Sequence, residues 1–332
     1  MLAARILAIG LSLGIAARAQ SPDAAAALEA QATKLRTLIA GAPRLAAEQI
    51  PMAARMADAG SLGTVSSVAL DGHGTMYVLQ RGDKADPVIA LNQEGRVLRS
   101  WGKGMFTVPH SIRVDPEGNI WTVDAGSSVL LKFTPEGKKL QEIVVGETAQ
   151  GSKCAFPTLC GTTDVAFAPG GRLFISDGYG NARILEYTSA GTRVRVSGSA
   201  GSGPGQFQIP HGVAVAGNIL YVADRTNARV QLFDLNGRYL REWNHLGRPF
   251  ALKYAGGALW VALMTLEPGG QGKANRASPW LVKVDPVDGK VLGQAELPGP
   301  HSIDVTEDGD FAASGCCGGS NPSGFSWFRR NR

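Results

Sequence analysis

The 332-residue chain predicts an all-β protein, a six-bladed β-propeller with a short helical lead-in at the N-terminus. Three observations predict it. Strand–turn–strand phrases recur at a spacing of about fifty residues, the length of a propeller blade. Glycine is abundant at 43 residues, as many short strands joined by tight turns require. One local phrase, a Pro-His pair opening a strand, occurs at Pro109-His110, Pro210-His211 and Pro300-His301, so three of the five histidines share one phase of the repeat.

Taken in order, residues 1–19 read as a cleavable secretory signal. Arg5 supplies the positive start, Ile6 to Ala16 the apolar core, and Ala17-Arg18-Ala19 the small-x-small cleavage site. The apolar run is too short for a membrane span, so the mature chain is expected to be a secreted or periplasmic monomer. Loss of Arg5 and Arg18 takes the formal charge from +5 to +3. No Lys/Arg run or basic–aromatic interleaving appears, which argues against nucleic acid as a partner. Residues 20–60 form the lead-in. Leu28, Leu35, Leu38 and Ile39 recur at helical spacing, and Pro51 interrupts a second helix. Of the four cysteines, Cys154 and Cys160 bracket one loop and could bridge, while Cys316 and Cys317 either form a vicinal disulfide or stay reduced. Their spacing does not match a cysteine zinc site.

The propeller is expected over 61–332. Val68–Val78, Ile112–Val123, Val165–Ile175, Val213–Val222 and Ile303–Ala312 each read as strand, tight turn, strand. Third strands follow at Leu131–Phe133, Ile184–Tyr187 and Val230–Phe233, and a degenerate copy runs from Phe250 through Val261. Six repeats thus begin near 65, 109, 161, 210, 248 and 300. A ring needs no free sheet edge if the N- and C-terminal strands share the last blade, and that closure is expected here.

The first strand of each blade lines the central channel. The Pro-His repeats are the second, fourth and sixth, so their imidazoles stand about 120° apart around the axis. Three neutral imidazoles with a fourth position open are the ligand set of a catalytic zinc. His73, in a turn, and His245, beside Trp243, lack this context and read as surface or packing residues. A propeller hydrolase holding calcium on channel Asp, Asn and Glu residues is the poorer match, because no such cluster is visible.

Two stretches, Tyr221–Gly237 and Ile175–Tyr187, resemble NHL repeats. Longer phrases carry a narrower resemblance. They include Gln80-Arg81-Gly82-Asp83, Phe106–His110, Ser176–Tyr179, Gly205–His211, Val222–Arg225 and Pro300–Gly309. Over Val65 to Phe328 the chain resembles the peptidylglycine amidating lyase family, the peptidyl-α-hydroxyglycine lyases. The resemblance implies zinc on His110, His211 and His301, a catalytic Tyr179, and Arg81 and Arg225 as active-site and substrate-binding arginines. It also implies a structural calcium held partly by the main-chain carbonyls of Val68 and Ile112. Where the family has Asp after its third histidine, this chain has Ser302, with Asp304 two positions on. Gly180 replaces the family cysteine after the tyrosine, and Tyr221 and Leu232 stand in the places of a second disulfide.

The residue types fit the implied chemistry. Cleaving the N–C bond of a small peptide-like α-hydroxy acid gives an amide and glyoxylate, and the hydroxyl must lose its proton as the bond breaks. A metal stabilises the alkoxide, a phenolate among positive neighbours serves as base, and an arginine fork receives a carboxylate. The expected function is a zinc-dependent carbon–nitrogen lyase. The alternative is a non-catalytic exported NHL propeller that binds a peptide, glycan or protein.

Overall fold

The computed structural model describes residues 22–51, 62–145, 161–265, 279–315 and 324–331, and these form a six-bladed β-propeller preceded by one helix. Alternating or fully apolar runs of four to eight residues, cut by Asp-x-x-Gly and Asn-Gly turns, dictate four-stranded antiparallel meanders. The first strands are Val65–Leu70, Pro109–Val114, Asp164–Ala168, Pro210–Ala216, Arg248–Ala255 and Ser302–Val305. They touch one another around the ring, and the sixth touches the first. Burial follows depth in the blade. In the first blade the inner strand is buried throughout, while the outer strand, Val97–Trp101, alternates between half-buried and exposed residues. The repeat expected to be degenerate, from Arg248 to Glu296, is a complete four-stranded blade.

Six apolar clusters sit at the six interfaces between blades. The one between the first and second packs Tyr77, Leu79 and Val88 against Ile112, Ile120 and Phe133. The one closing the ring packs Val68, Val78 and Ile89 against Ala312, Phe325 and Trp327. At about 25 cal/mol per Å² of apolar surface removed from water, this repeated burial is the main stabilising contribution.

The lead-in differs in part from expectation. A helix spans Pro22–Gly41, and its Leu35 and Ile39 are buried against the interface of the fourth and fifth blades, beside Trp243 and Leu246. The second helix expected around Pro51 is absent over Ala47–Ile50, which is a β-strand. It pairs antiparallel with Phe325–Arg330 in the register Ala47↔Arg330 and Ile50↔Trp327, and so supplies the outermost strand of the sixth blade. Local propensity cannot show this, because the strand is specified by the open hydrogen-bonding edge of a partner far along the chain. The shared last blade is the closure expected from the repeat. The proposed signal at 1–19 and Cys154, Cys160, Cys316 and Cys317 lie outside the described residues. Among the described residues, no helix is long and apolar enough to cross a membrane.

A chain lacking the residues up to and including Ile50 leaves Phe325–Arg330 as an uncovered edge. Its expected outcome is a lower melting temperature and concentration-dependent association, read by scanning calorimetry and light scattering.

Candidate metal centre on the propeller axis

The three Pro-His phrases meet on the axis. The ring centroids of His110 and His211 are 5.0 Å apart, those of His110 and His301 4.9 Å, and those of His211 and His301 5.1 Å. Their potential donor atoms all lie within 4.8 Å of one another. Two of the three sit in β-bulges. Pro109 pairs with Asp124 and Ser111 with Val123, which leaves His110 outside the ladder; Pro210 and Gly212 leave His211 outside in the same way. A bulge turns its extra residue out of the pleat, and here that residue faces the channel.

Each imidazole is oriented by the following blade. His110 Nδ1 is 2.7 Å from the Thr163 carbonyl oxygen, His211 Nδ1 2.8 Å from that of Phe250, and His301 Nδ1 2.7 Å from that of Ser66. A carbonyl only accepts, so Nδ1 carries the proton in all three rings and Nε2 keeps its lone pair. Ser66 and Phe250 are themselves bulged residues, which frees their carbonyls from the ladder. Gly212 permits the close approach of the fourth and fifth blades at this point, since a Cβ there would stand 2.8 Å from the Phe250 oxygen.

The electrostatics keep the rings neutral. Burial holds the His110 and His211 imidazoles well below their ordinary value, reinforced at His110 by His301 and Arg81 and at His211 by Arg225. Burial, then Arg81, pushes His301 down to about 3. Neutral imidazoles with Nδ1–H donated to carbonyls and Nε2 turned inward form the donor set that suits zinc. On this chemistry, His110, His211 and His301 fit such an ion.

Tyr179 and both sequence-predicted arginines are brought to the cluster. The Tyr179 hydroxyl is 3.0 Å from His110 Nε2 and 3.1 Å from His211 Nε2. Its main chain is pinned by the Tyr179 N–H to Gly161 carbonyl bond of 3.2 Å, and a Cβ on the preceding Gly178 would collide with the Pro210 carbonyl. The Arg225 guanidinium carbon lies 5.5 Å from the Tyr179 ring centroid and 5.2 Å from that of Phe250. Arg81 Nε donates to the Pro109 carbonyl at 2.8 Å, beside His110. Ile209 holds a left-handed φ of 58° immediately before Pro210. For a β-branched residue preceding proline this conformation costs about 1–3 kcal/mol, and its carbonyl accepts the Arg225 N–H at 3.2 Å. An open cleft of about 790 Å³ runs from Tyr179 past Asn181, Ser199, Gln208, Ile209 and Asn227.

Two residues escaped the sequence reading. Phe250 occupies in the fifth blade the slot that histidine fills in the second, fourth and sixth. Arg248 precedes it, held below its ordinary value by burial and the Arg225 charge. Among the described residues neither Arg225 nor Arg248 has a carboxylate partner. The signal was present in the sequence: Arg248-Pro249-Phe250 aligns with Ile209-Pro210-His211. Outside the site, His73 is exposed in a turn and His245 Nε2 lies 3.0 Å from the Gly289 carbonyl, both away from the axis.

Comparison with known proteins points the same way. An NHL repeat model matches residues 207–233. Peptidyl-glycine alpha-amidating monooxygenase of Mus musculus is 30% identical over 295 residues, covering 74% of this chain and 29% of that protein. Peptidyl-alpha-hydroxyglycine alpha-amidating lyase 1 of Drosophila melanogaster is 28% identical over 302 residues, covering 75% of this chain and 54% of that protein. The chain thus spans under a third of the length of the first and about half that of the second. A solved streptogramin B lyase shares the fold with a TM-score of 0.57 at 15% identity, covering 86% of this chain and 97% of that one.

Unfolded histidines take up protons below pH of about 6.5, whereas the folded rings resist protonation to much lower pH. The unfolded chain therefore binds more protons in that interval. This contribution to stability is intact above pH of about 6.5 and is lost as pH falls toward the folded values. Chelator-treated protein should show a melting temperature that falls between neutral and acidic pH, with a shallower fall in His301→Gln, measured by scanning calorimetry.

Proposed function

We propose, on the premise that this chain is an NHL-repeat β-propeller resembling the peptidylglycine amidating lyases, that it is a zinc-dependent carbon–nitrogen lyase acting on a peptidyl-α-hydroxyglycine or a similar N-acyl-α-hydroxy acid. The observation that carries the reading is the Tyr179 hydroxyl set about 3 Å from two inward-facing Nε2 atoms of a three-histidine cluster. Relatives named for the lyase activity support it over most of this chain's length.

His110, His211 and His301 would hold zinc through Nε2. Bound there, the ion supplies a Lewis acid that favours loss of the proton from a substrate hydroxyl. The chain's own groups do the rest. The Tyr179 oxygen would stand beside a hydroxyl drawn to the cluster and act as the base that accepts its proton. Arg225, over the Tyr179 ring and half-shielded by Phe250, offsets the negative charge there. Arg81, tied to the strand that carries His110, presents its guanidinium to the carboxylate of the leaving glyoxylate. The C–N bond breaks as the alkoxide collapses to the aldehyde, and the departing amide nitrogen takes up one proton. Atoms balance as an elimination, with no co-reactant. The cleft beside Tyr179 receives the acyl or peptidyl part. Export through residues 1–19 belongs to the same proposal.

Elemental analysis of the purified protein should give one zinc per chain, and His211→Ala should remove both the zinc and glyoxylate release from a hydroxyglycine amide. Stoichiometric zinc without glyoxylate release from any such amide would sink the substrate assignment. Tyr179→Phe should keep the zinc and lower kcat by about 10²–10⁴-fold, the usual contribution of a positioned acid–base group.

A further inference from the structure

The calcium implied by the family resemblance does not fit the axis of this propeller. One step below the histidines, side chains bind the N–H groups of Val68 and Ile112, the residues whose carbonyls the resemblance assigns to calcium. Val68 N–H donates to Ser302 Oγ at 3.4 Å and Ile112 N–H to Ser67 Oγ at 3.1 Å, and the two hydroxyls are 2.8 Å apart. Below them lie two cations belonging to the chain itself. Arg113, buried, donates Nε to Asp164 Oδ1 at 2.9 Å and Nη2 to Asp164 Oδ2 at 2.6 Å. Its Nη1 reaches the Ile303 carbonyl at 2.8 Å and its Nη2 the Leu252 carbonyl at 3.4 Å. Lys253 Nζ is 2.7 Å from Asp304 Oδ1, and Asp304 Oδ2 accepts the Leu70 N–H at 2.8 Å.

The charge balance and the engaged carboxylates disfavour a divalent ion here. The two cations and two carboxylates sum to zero, so a calcium would add an uncompensated double charge to a largely buried network. Calcium also needs about six to eight oxygens, and all four carboxylate oxygens here are engaged by N–H donors. The network instead contacts the inner strand of every blade: Leu70, Arg113, Asp164, Val213, Leu252 with Lys253, and Ile303 with Asp304. In particular it grips all three histidine strands just past the histidine. Asp164 accepts the Ser111 hydroxyl at 2.7 Å and the Val213 N–H at 3.2 Å, and Arg113 binds the Ile303 carbonyl.

We infer that the Arg113–Asp164 and Lys253–Asp304 pairs replace a structural calcium in this chain, and that Arg113 is a positioning residue aligning the three strands that present His110, His211 and His301. The affinity part of this inference rests on the zinc reading above; the calcium part does not.

Protein equilibrated in millimolar calcium and gel-filtered into calcium-free buffer should carry no calcium by elemental analysis. Its melting temperature should be the same in calcium and in EGTA. Stoichiometric calcium, or a melting temperature that drops in EGTA and returns with calcium, overturns the replacement, whatever the zinc or lyase result. Arg113→Met should weaken zinc binding, measured by competition with a chromophoric chelator, by about tenfold or more, as loss of a group orienting metal ligands does. Arg113→Lys, which keeps the charge but not the fork, should recover part of that loss. Ser111→Ala deletes one strand contact while leaving the ion pair, and should show a smaller weakening even if Arg113→Met fails to fold. Zinc affinity unchanged in the folded variants overturns the positioning role.

Discussion

Three imidazole N–H groups, each donated to a main-chain carbonyl of the neighbouring blade, are the interaction on which the rest of this structure depends. A buried N–H left without an acceptor costs about 1–3 kcal/mol, so three polar rings can share a dry axis only if each finds one. The acceptors come from Thr163, Phe250 and Ser66, always in the next blade. Ring closure is therefore part of the site. The His301 acceptor lies in the first blade, and the Ala47–Ile50 strand completes the sixth blade that presents His301. Bulges at Ser66, His110, His211 and Phe250 are the local device that takes these residues out of the β-ladder and makes their groups available.

The charges along the axis are divided unequally. Beneath the histidines, Arg113 and Lys253 are matched one for one by Asp164 and Asp304. Around the histidines, Arg81, Arg225 and Arg248 supply positive charge, and the last two have no carboxylate partner among the described residues. Such an arrangement places the unbalanced positive potential at the histidine level, because below it the charges cancel in the Arg113–Asp164 and Lys253–Asp304 pairs. The same positive field helps keep the imidazoles unprotonated, with their Nε2 lone pairs free.

Much of this was legible in the order of residues. The strand–turn phrases located the six blades, and the Pro-His phase placed the three histidines on one axis before any contact was known. Tyr179, Arg81 and Arg225 were reached through family resemblance, and the structure sets Tyr179 and Arg225 against the cluster and Arg81 beside His110. Arg248 and Phe250 were passed over because the fifth repeat lacks the histidine that marks the others. The strand at Ala47–Ile50 was read as helix, since four residues of mixed character carry no strand signal without the edge they cover. In the sequence, nothing marks Arg113 apart from the other residues of the strand that begins at Pro109.

The sequence by itself determined the periodic part of this protein: the blade count, the inner strands and the histidines at their mouths. Those features are local, written in alternation, turn residues and a repeated phrase. Only the tertiary structure decided which group each of them meets. The His211–Phe250, His110–Thr163 and His301–Ser66 contacts span 39, 53 and 235 residues of chain, and the Arg113–Ile303 contact spans 190. Closing a ring brings such distant residues together in one step, and only a window spanning nearly the whole ring contains both His301 and Ser66.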